Sequence, residues 1–157
     1  MDSSDYMKLA INEAMKNVTS GSGGPFGACI VKDGQVIALA RNSVLLNHNP
    51  TQHAEINAIT EATEKLGNHL LNGATIYSTT EPCPMCFSAI HWAKIDHIVF
   101  GTRIADVAAL GFNELNISNQ TMKDCGGSPV TIEADVERDA CLELLRQWHA
   151  RQAGSTY

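Results

Sequence analysis

The chain has 157 residues, 44% of them hydrophobic and 18% charged, which suits one folded domain and excludes a disordered or fibrous chain. Its 11 basic and 17 acidic residues leave a formal net charge of −6, and its Lys and Arg residues form no run, so a nucleic-acid partner, which wants a basic footprint, is disfavoured. No stretch approaches the ~18 uncharged apolar residues of a membrane span. The acidic start Met1-Asp2-Ser3-Ser4-Asp5 does not read as a secretory signal. An odd count of five cysteines without such a signal points to reduced thiols and a cytoplasmic setting.

Taken in order, Met7, Ala10, Ile11, Ala14, Met15 and Val18 follow helical spacing, with Ser3, Ser4 or Asp5 available as the N-cap. The breaker Gly21-Ser22-Gly23-Gly24-Pro25 follows. Ala28–Lys32 and Gln35–Ala40 read as strands joined by the hairpin turn Asp33-Gly34. Gln52–Leu66 reads as a helix capped by Thr51 and closed by Gly67. After the Asn72-Gly73 turn come a strand at Thr75–Thr79 and a helix at Pro84–Lys94 opened by proline at its first position. His97–Gly101 is a strand, Ala105–Leu110 a helix and Val130–Glu133 a fifth strand. Val136, Ala140, Leu144, Leu145 and Trp148 mark a last amphipathic helix with Asp135 as its cap. Phe112–Ser128 is polar and receives no element. Strands alternating with helices predict a single α/β domain over residues 1–157, a three-layer α/β/α sandwich around a mixed sheet.

The chemistry concentrates in three residues. His53 opens one helix, and Cys83 and Cys86 open another. Cysteines at i and i+3 share a helix face, and a thiolate at a helix N-terminus meets the positive end of the helix dipole. Two thiolates neutralise a divalent ion and leave a neutral imidazole as the natural third ligand of zinc. The fourth tetrahedral position then stays open to water, whose pKa zinc lowers to about 7 in favourable cases. Glu55 is the expected proton carrier. It lies two residues after His53, about 200° around an ideal helix, so both side chains reach one ion only if His53 sits at the helix end. A lone C-x-x-C also serves redox chemistry, and a closed structural zinc site needs a fourth ligand, for which His91 has the spacing. The remaining cysteines, Cys29, Cys125 and Cys141, read as small buried apolar side chains.

The pattern His53-Ala54-Glu55 followed by Pro82-Cys83-Pro84-Met85-Cys86 is the H-x-E…P-C-x-x-C signature of zinc deaminases. The chain resembles cytidine-deaminase-like nucleobase deaminases over nearly its whole length, and among them the bacterial guanine deaminases. Gly23–Ala28, Asn42, Pro50–Glu55, Glu81–Cys86, Gly111-Phe112-Asn113-Glu114 and Tyr157 carry the likeness. The resemblance implies a five-stranded sheet, a homodimer, one zinc on His53, Cys83 and Cys86, and hydrolytic deamination of a free base, guanine to xanthine and ammonia. It gives Glu55 the proton traffic, Asn42 a hydrogen bond to the base, Phe26 and Trp92 the pocket walls, and the backbone near Ala54 a further contact. Glu114 assists proton transfer at the amino group, and Tyr157, on a C-terminal segment exchanged between subunits, closes the site. The sequence departs from the family where Asn113-Glu114 stands in place of the commoner Asp-Asp, and Leu115–Ser128 has no close counterpart. Cytosine, a triazine, a nucleoside or adenosine in tRNA are the alternative substrates, and a scaffold protein with structural zinc is the alternative outside enzymes.

Overall fold

The computed structural model describes residues 1–151 and 156–157. Helix α1 runs Ser3–Ser20, strands β1 and β2 run Gly27–Lys32 and Gln35–Arg41, the short α2 is Val44–Asn47, and α3 is Ala54–Leu66. Then follow β3 (Ala74–Thr80), α4 (Pro84–Ala93), β4 (His97–Thr102), α5 (Ile104–Ala108), α6 (Asn119–Gly126), β5 (Thr131–Glu133) and α7 (Arg138–Arg151). The sheet order is β2-β1-β3-β4-β5. β1 is antiparallel to both β2 and β3, while β3, β4 and β5 run parallel. The five-stranded mixed sheet is the one expected.

Period-2 alternation sorts the strand residues into two cores. Ala28, Ile30, Ile76, Ile98 and Phe100 face α3 and α4, packing on Ala54, Ala58, Ala62, Phe87 and Ile90. Three alanines at i, i+4 and i+8 are fully buried, so α3 lies close against the sheet. Cys29, Val31, Tyr77 and Val99 face the other way, onto Tyr6, Met7 and Ala10 of α1 and Cys141 of α7. Helices cover both faces, which gives the expected three layers. Among the described residues no helix is long and apolar enough to cross a membrane.

Several boundaries differ from expectation for physical reasons. The cap of α1 is Asp2, not Ser3, Ser4 or Asp5. Asp2 accepts the Asp5 backbone N–H at 3.0 Å, and Asp5 accepts that of Asp2 at 3.0 Å, a reciprocal pair that satisfies two orphan donors. Thr51 does not cap α3, which begins three residues later at Ala54; its hydroxyl and N–H both donate to Asn49 Oδ1, at 2.7 and 2.9 Å. The cap position falls to His53, with extended φ −65° and ψ 160°. Asp135 does not cap α7. It sits at φ 66° and pairs instead with Arg103 at 2.8 Å. Cys29 and Cys141 are buried as expected, but Cys125 is exposed on α6. The Asp33-Gly34 hairpin holds, with both residues at positive φ.

Candidate active site

The site lies where β3 ends and two helices begin. His53 is the N-cap of α3 and Cys83 the N-cap of α4, both with extended backbone and no side-chain capping bond. A residue at that position stands half outside its helix, so its side chain is free to turn toward the other helix end. His53 Nδ1 lies 3.6 Å from Cys83 Sγ and 3.6 Å from Cys86 Sγ. Zinc at ~2.3 Å from sulfur and ~2.05 Å from nitrogen sets the tetrahedral N···S spacing at about 3.6 Å, so the donor set fits that ion without rearrangement. These three residues are the one metal-capable His/Cys/Asp/Glu cluster among the described residues. His91 cannot close it: it is exposed on the last turn of α4 and lines a separate cavity with Lys94, Asp96 and His97. Three donors would leave a tetrahedral ion one position for a water or substrate.

The electrostatics suit a cation. Cys83 is pulled down to about 4 by the hydrogen bond from the Cys86 thiol, against the opposing effect of burial and with help from His53. Cys86 moves well upward, first through Cys83 and then through burial, so the sulfur pair holds one proton that a bound cation releases. Burial drives His53 down, but the Cys83 hydrogen bond and the negative field of Glu55 and Cys83 outweigh it and raise it. Glu55 is buried, and that burial raises its carboxyl above the ordinary range. It touches Cys86 Sγ at 3.5 Å and the Ser78 hydroxyl at 3.1 Å.

Beside these groups opens a cavity of about 310 Å³, the low end of small-ligand pockets. Phe26, Asn42, His53, Glu55, Glu114 and Tyr157 all line it. Asn42 Oδ1 accepts the backbone N–H of Val44 at 3.1 Å, which orients the amide beside the cavity it lines. The Asn42 carbonyl accepts from buried Asn17, whose Nδ2 also holds the Gly24 carbonyl, both at 2.9 Å. Burial, then the charges of Cys83 and Glu55, push the Glu114 carboxyl up to about 8, and its Oε2 is buried without a partner among the described residues. Tyr157 stacks edge-on against Phe112, with ring centres 5.4 Å apart, and tilts toward His53 at 6.1 Å. The Asn113 N–H donates to its carbonyl at 3.0 Å.

Two expected residues do not line the cavity. Trp92 is 76% exposed. It lies six residues after Cys86, about 240° around the helix, which turns it to the outer side of α4. Ala54 is fully buried in the core, so its peptide group is what it offers a base. Sequence reasoning missed Ser78, Glu81, Phe112 and Asn119. Ser78 had a signal, a polar residue on the strand face that carries Ile76. Asn119 had none.

A neutral-to-acidic α/β domain with a His-Cys-Cys zinc set, an open ligand position and a buried glutamate defines a zinc-dependent aminohydrolase. Residues 1–102 match the family described as the cytidine and deoxycytidylate deaminase zinc-binding region, and the chain belongs to that family. The guanine deaminase of Bacillus subtilis is 41% identical over 114 residues, 73% of each chain, and its structure superposes with a TM-score of 0.71. The guanine deaminase of Nitrosomonas europaea superposes with a TM-score of 0.86 at 30% identity, covering 94% of this chain and 84% of that one. A tRNA-specific adenosine deaminase of Bacillus subtilis is 44% identical over 96 residues, 61% of this chain and 59% of its own length.

Proposed function

We propose that the protein is a cytoplasmic guanine deaminase, converting guanine and water to xanthine and ammonia. One observation carries this reading: a small cavity flanked by two carboxyls, buried Glu55 and half-buried Glu114, both raised above the ordinary range. Replacing an amino group by oxygen requires proton delivery to the ring and to the leaving amine, and carboxyls raised toward neutral pH suit that work. When bound at His53, Cys83 and Cys86, zinc supplies a Lewis acid that activates water. Glu55 takes the proton that water loses and delivers it to the ring nitrogen beside C2. Glu114 serves the exocyclic amine as the C2–N bond breaks. The Asn42 amide donates to an acceptor on the purine edge, while Phe26, Phe112 and Tyr157 enclose the ring. The longer Glu114, in place of the family's commoner aspartate, makes up reach with its extra methylene.

Identity to tRNA-specific adenosine deaminases favours a second reading, deamination of adenosine in tRNA. Against it stand the charge of −6 and the small volume, about 310 Å³, of the cavity that Leu115 and Tyr157 help to line. The proposal includes a homodimer. The exposed Trp92 on α4 is available to such a contact. Exchange of C-terminal segments is part of the same proposal. Tyr157 fills its seat within one chain, and the connecting residues 152–155 lie outside the described ones. Glu114→Ala tests the site assignment: kcat on guanine falls by about 10²–10⁴, while unchanged kinetics return Glu114 to a solvated loop residue.

A further inference from the structure

The segment that carries Glu114 has few anchors. Phe112 is buried at its start, against Phe26, Trp148 and Tyr157. From 113 to 118 no residue is buried, and Leu115 is 68% exposed. Asn119 then plunges to 0% exposure at the first position of α6, between exposed neighbours. Its side-chain Nδ2 donates to the Pro82 carbonyl at 2.6 Å, and its backbone N–H donates to Glu81 Oε2 at 2.9 Å. The other Glu81 oxygen accepts the N–H of Ile104 at 3.2 Å, and the Glu81 N–H donates to the Thr102 carbonyl at 2.8 Å. One buried carboxylate therefore joins the starts of α5 and α6 to the end of β4. Asn119 Oδ1 has no partner among the described residues. A buried apolar side chain would avoid that orphaned oxygen, so packing alone does not account for asparagine here.

The Pro82 carbonyl belongs to the peptide plane that ends at the Cys83 Cα. A bond to that carbonyl fixes the plane and, through it, the direction in which the Cys83 sulfur leaves the backbone. We propose that Asn119, with Glu81, is a positioning residue that orients Cys83 toward the metal and ties the Glu114 segment to the same corner. The inference rests on the reading of Cys83 as a zinc ligand. Outer groups that orient a ligand are worth about ten- to a hundredfold in metal affinity.

The test is zinc transfer from the zinc-loaded protein to a colorimetric chelator. Asn119→Leu keeps the branched shape and the number of side-chain heavy atoms and removes both side-chain polar atoms. It releases zinc about ten- to a hundredfold faster than wild type and lowers kcat on guanine more than it raises KM. Leu71→Ala serves as the control for stability, because fully buried Leu71 packs at the opposite end of β3. Zinc release in Asn119→Leu no faster than in Leu71→Ala overturns the proposal. Where Asn119→Leu does not fold, isosteric Glu81→Gln carries the test in the same assay, with accelerated release supporting the proposal and wild-type release overturning it. A wild-type chain that holds no zinc overturns the ligand reading itself and the proposal with it.

Discussion

Replacing Glu55 by glutamine isolates proton transfer from structure. The Ser78 hydroxyl has one hydrogen and two acceptors in reach, the Thr80 carbonyl at 2.6 Å and Glu55 Oε1 at 3.1 Å. One hydrogen cannot serve both equally. The hydroxyl's donation to Glu55 Oε1 is therefore the weaker of the two, and it opposes without overcoming the burial that raises this carboxyl above its ordinary range. A glutamine amide fits the same place, its Oε1 accepting from the same Ser78 hydroxyl, and keeps the volume, so Glu55→Gln holds its fold and its zinc. It cannot shuttle a proton. General acid–base catalysis is worth about 10²–10⁴ in rate, which at ~1.36 kcal/mol per decade is about 2.7–5.5 kcal/mol of barrier. Steady-state kinetics with guanine, read beside zinc content and thermal unfolding, measure all three quantities. Turnover within about threefold of wild type refutes the assignment, and zinc loss in proportion to activity moves Glu55 from proton carrier to structural support.

Gly27→Ala places a methyl 2.1 Å from the Ala10 carbonyl oxygen of α1. Because that neighbour is backbone, urea unfolding shows a loss at the upper end of, or beyond, the ~1–3 kcal/mol usual for overpacking. Thiol labelling of the zinc-loaded native protein finds one fast cysteine, exposed Cys125, since burial holds Cys29 and Cys141 at about 12. Chelation adds fast labelling at Cys83, a thiolate at neutral pH, and equal labelling before and after chelation contradicts the metal site. Asp106 accepts both Arg138 nitrogens at 2.9 and 3.0 Å and is held below its ordinary pKa, first by that bond. Its contribution is complete above the unfolded value of ~3.9 and disappears as pH falls through the lower folded value. The stability gap between wild type and Asp106→Asn, followed by denaturant titration, is therefore constant from about pH 5 upward and narrows only below about pH 4.

The layers were legible because their signals are local. The apolar run His97–Gly101, the Asp-Gly hairpin and the proline opening α4 each name an element without help from distant residues. The metal set was legible because i and i+3 cysteines and an H-x-E at a helix start constrain one another. What escaped is tertiary. α6 buries one residue, Asn119, so it has no apolar stripe to read, and its first N–H is satisfied by Glu81, 38 residues earlier. Helix α3 starts at Ala54, after Thr51 has turned its hydroxyl to Asn49, a local contact that spacing alone does not reveal. Trp92 reads as a pocket wall only by the family resemblance, and its angle from Cys86 decides its side of α4.

The most direct test of the central claim is a competition for turnover. Zinc-loaded protein is given guanine, adenine, cytosine, guanosine, a triazine and a tRNA anticodon stem-loop, with ammonia and the ring product both measured. The account predicts xanthine from guanine with kcat/KM at least a hundredfold above every other substrate. Faster release of ammonia from the stem-loop than from guanine contradicts it.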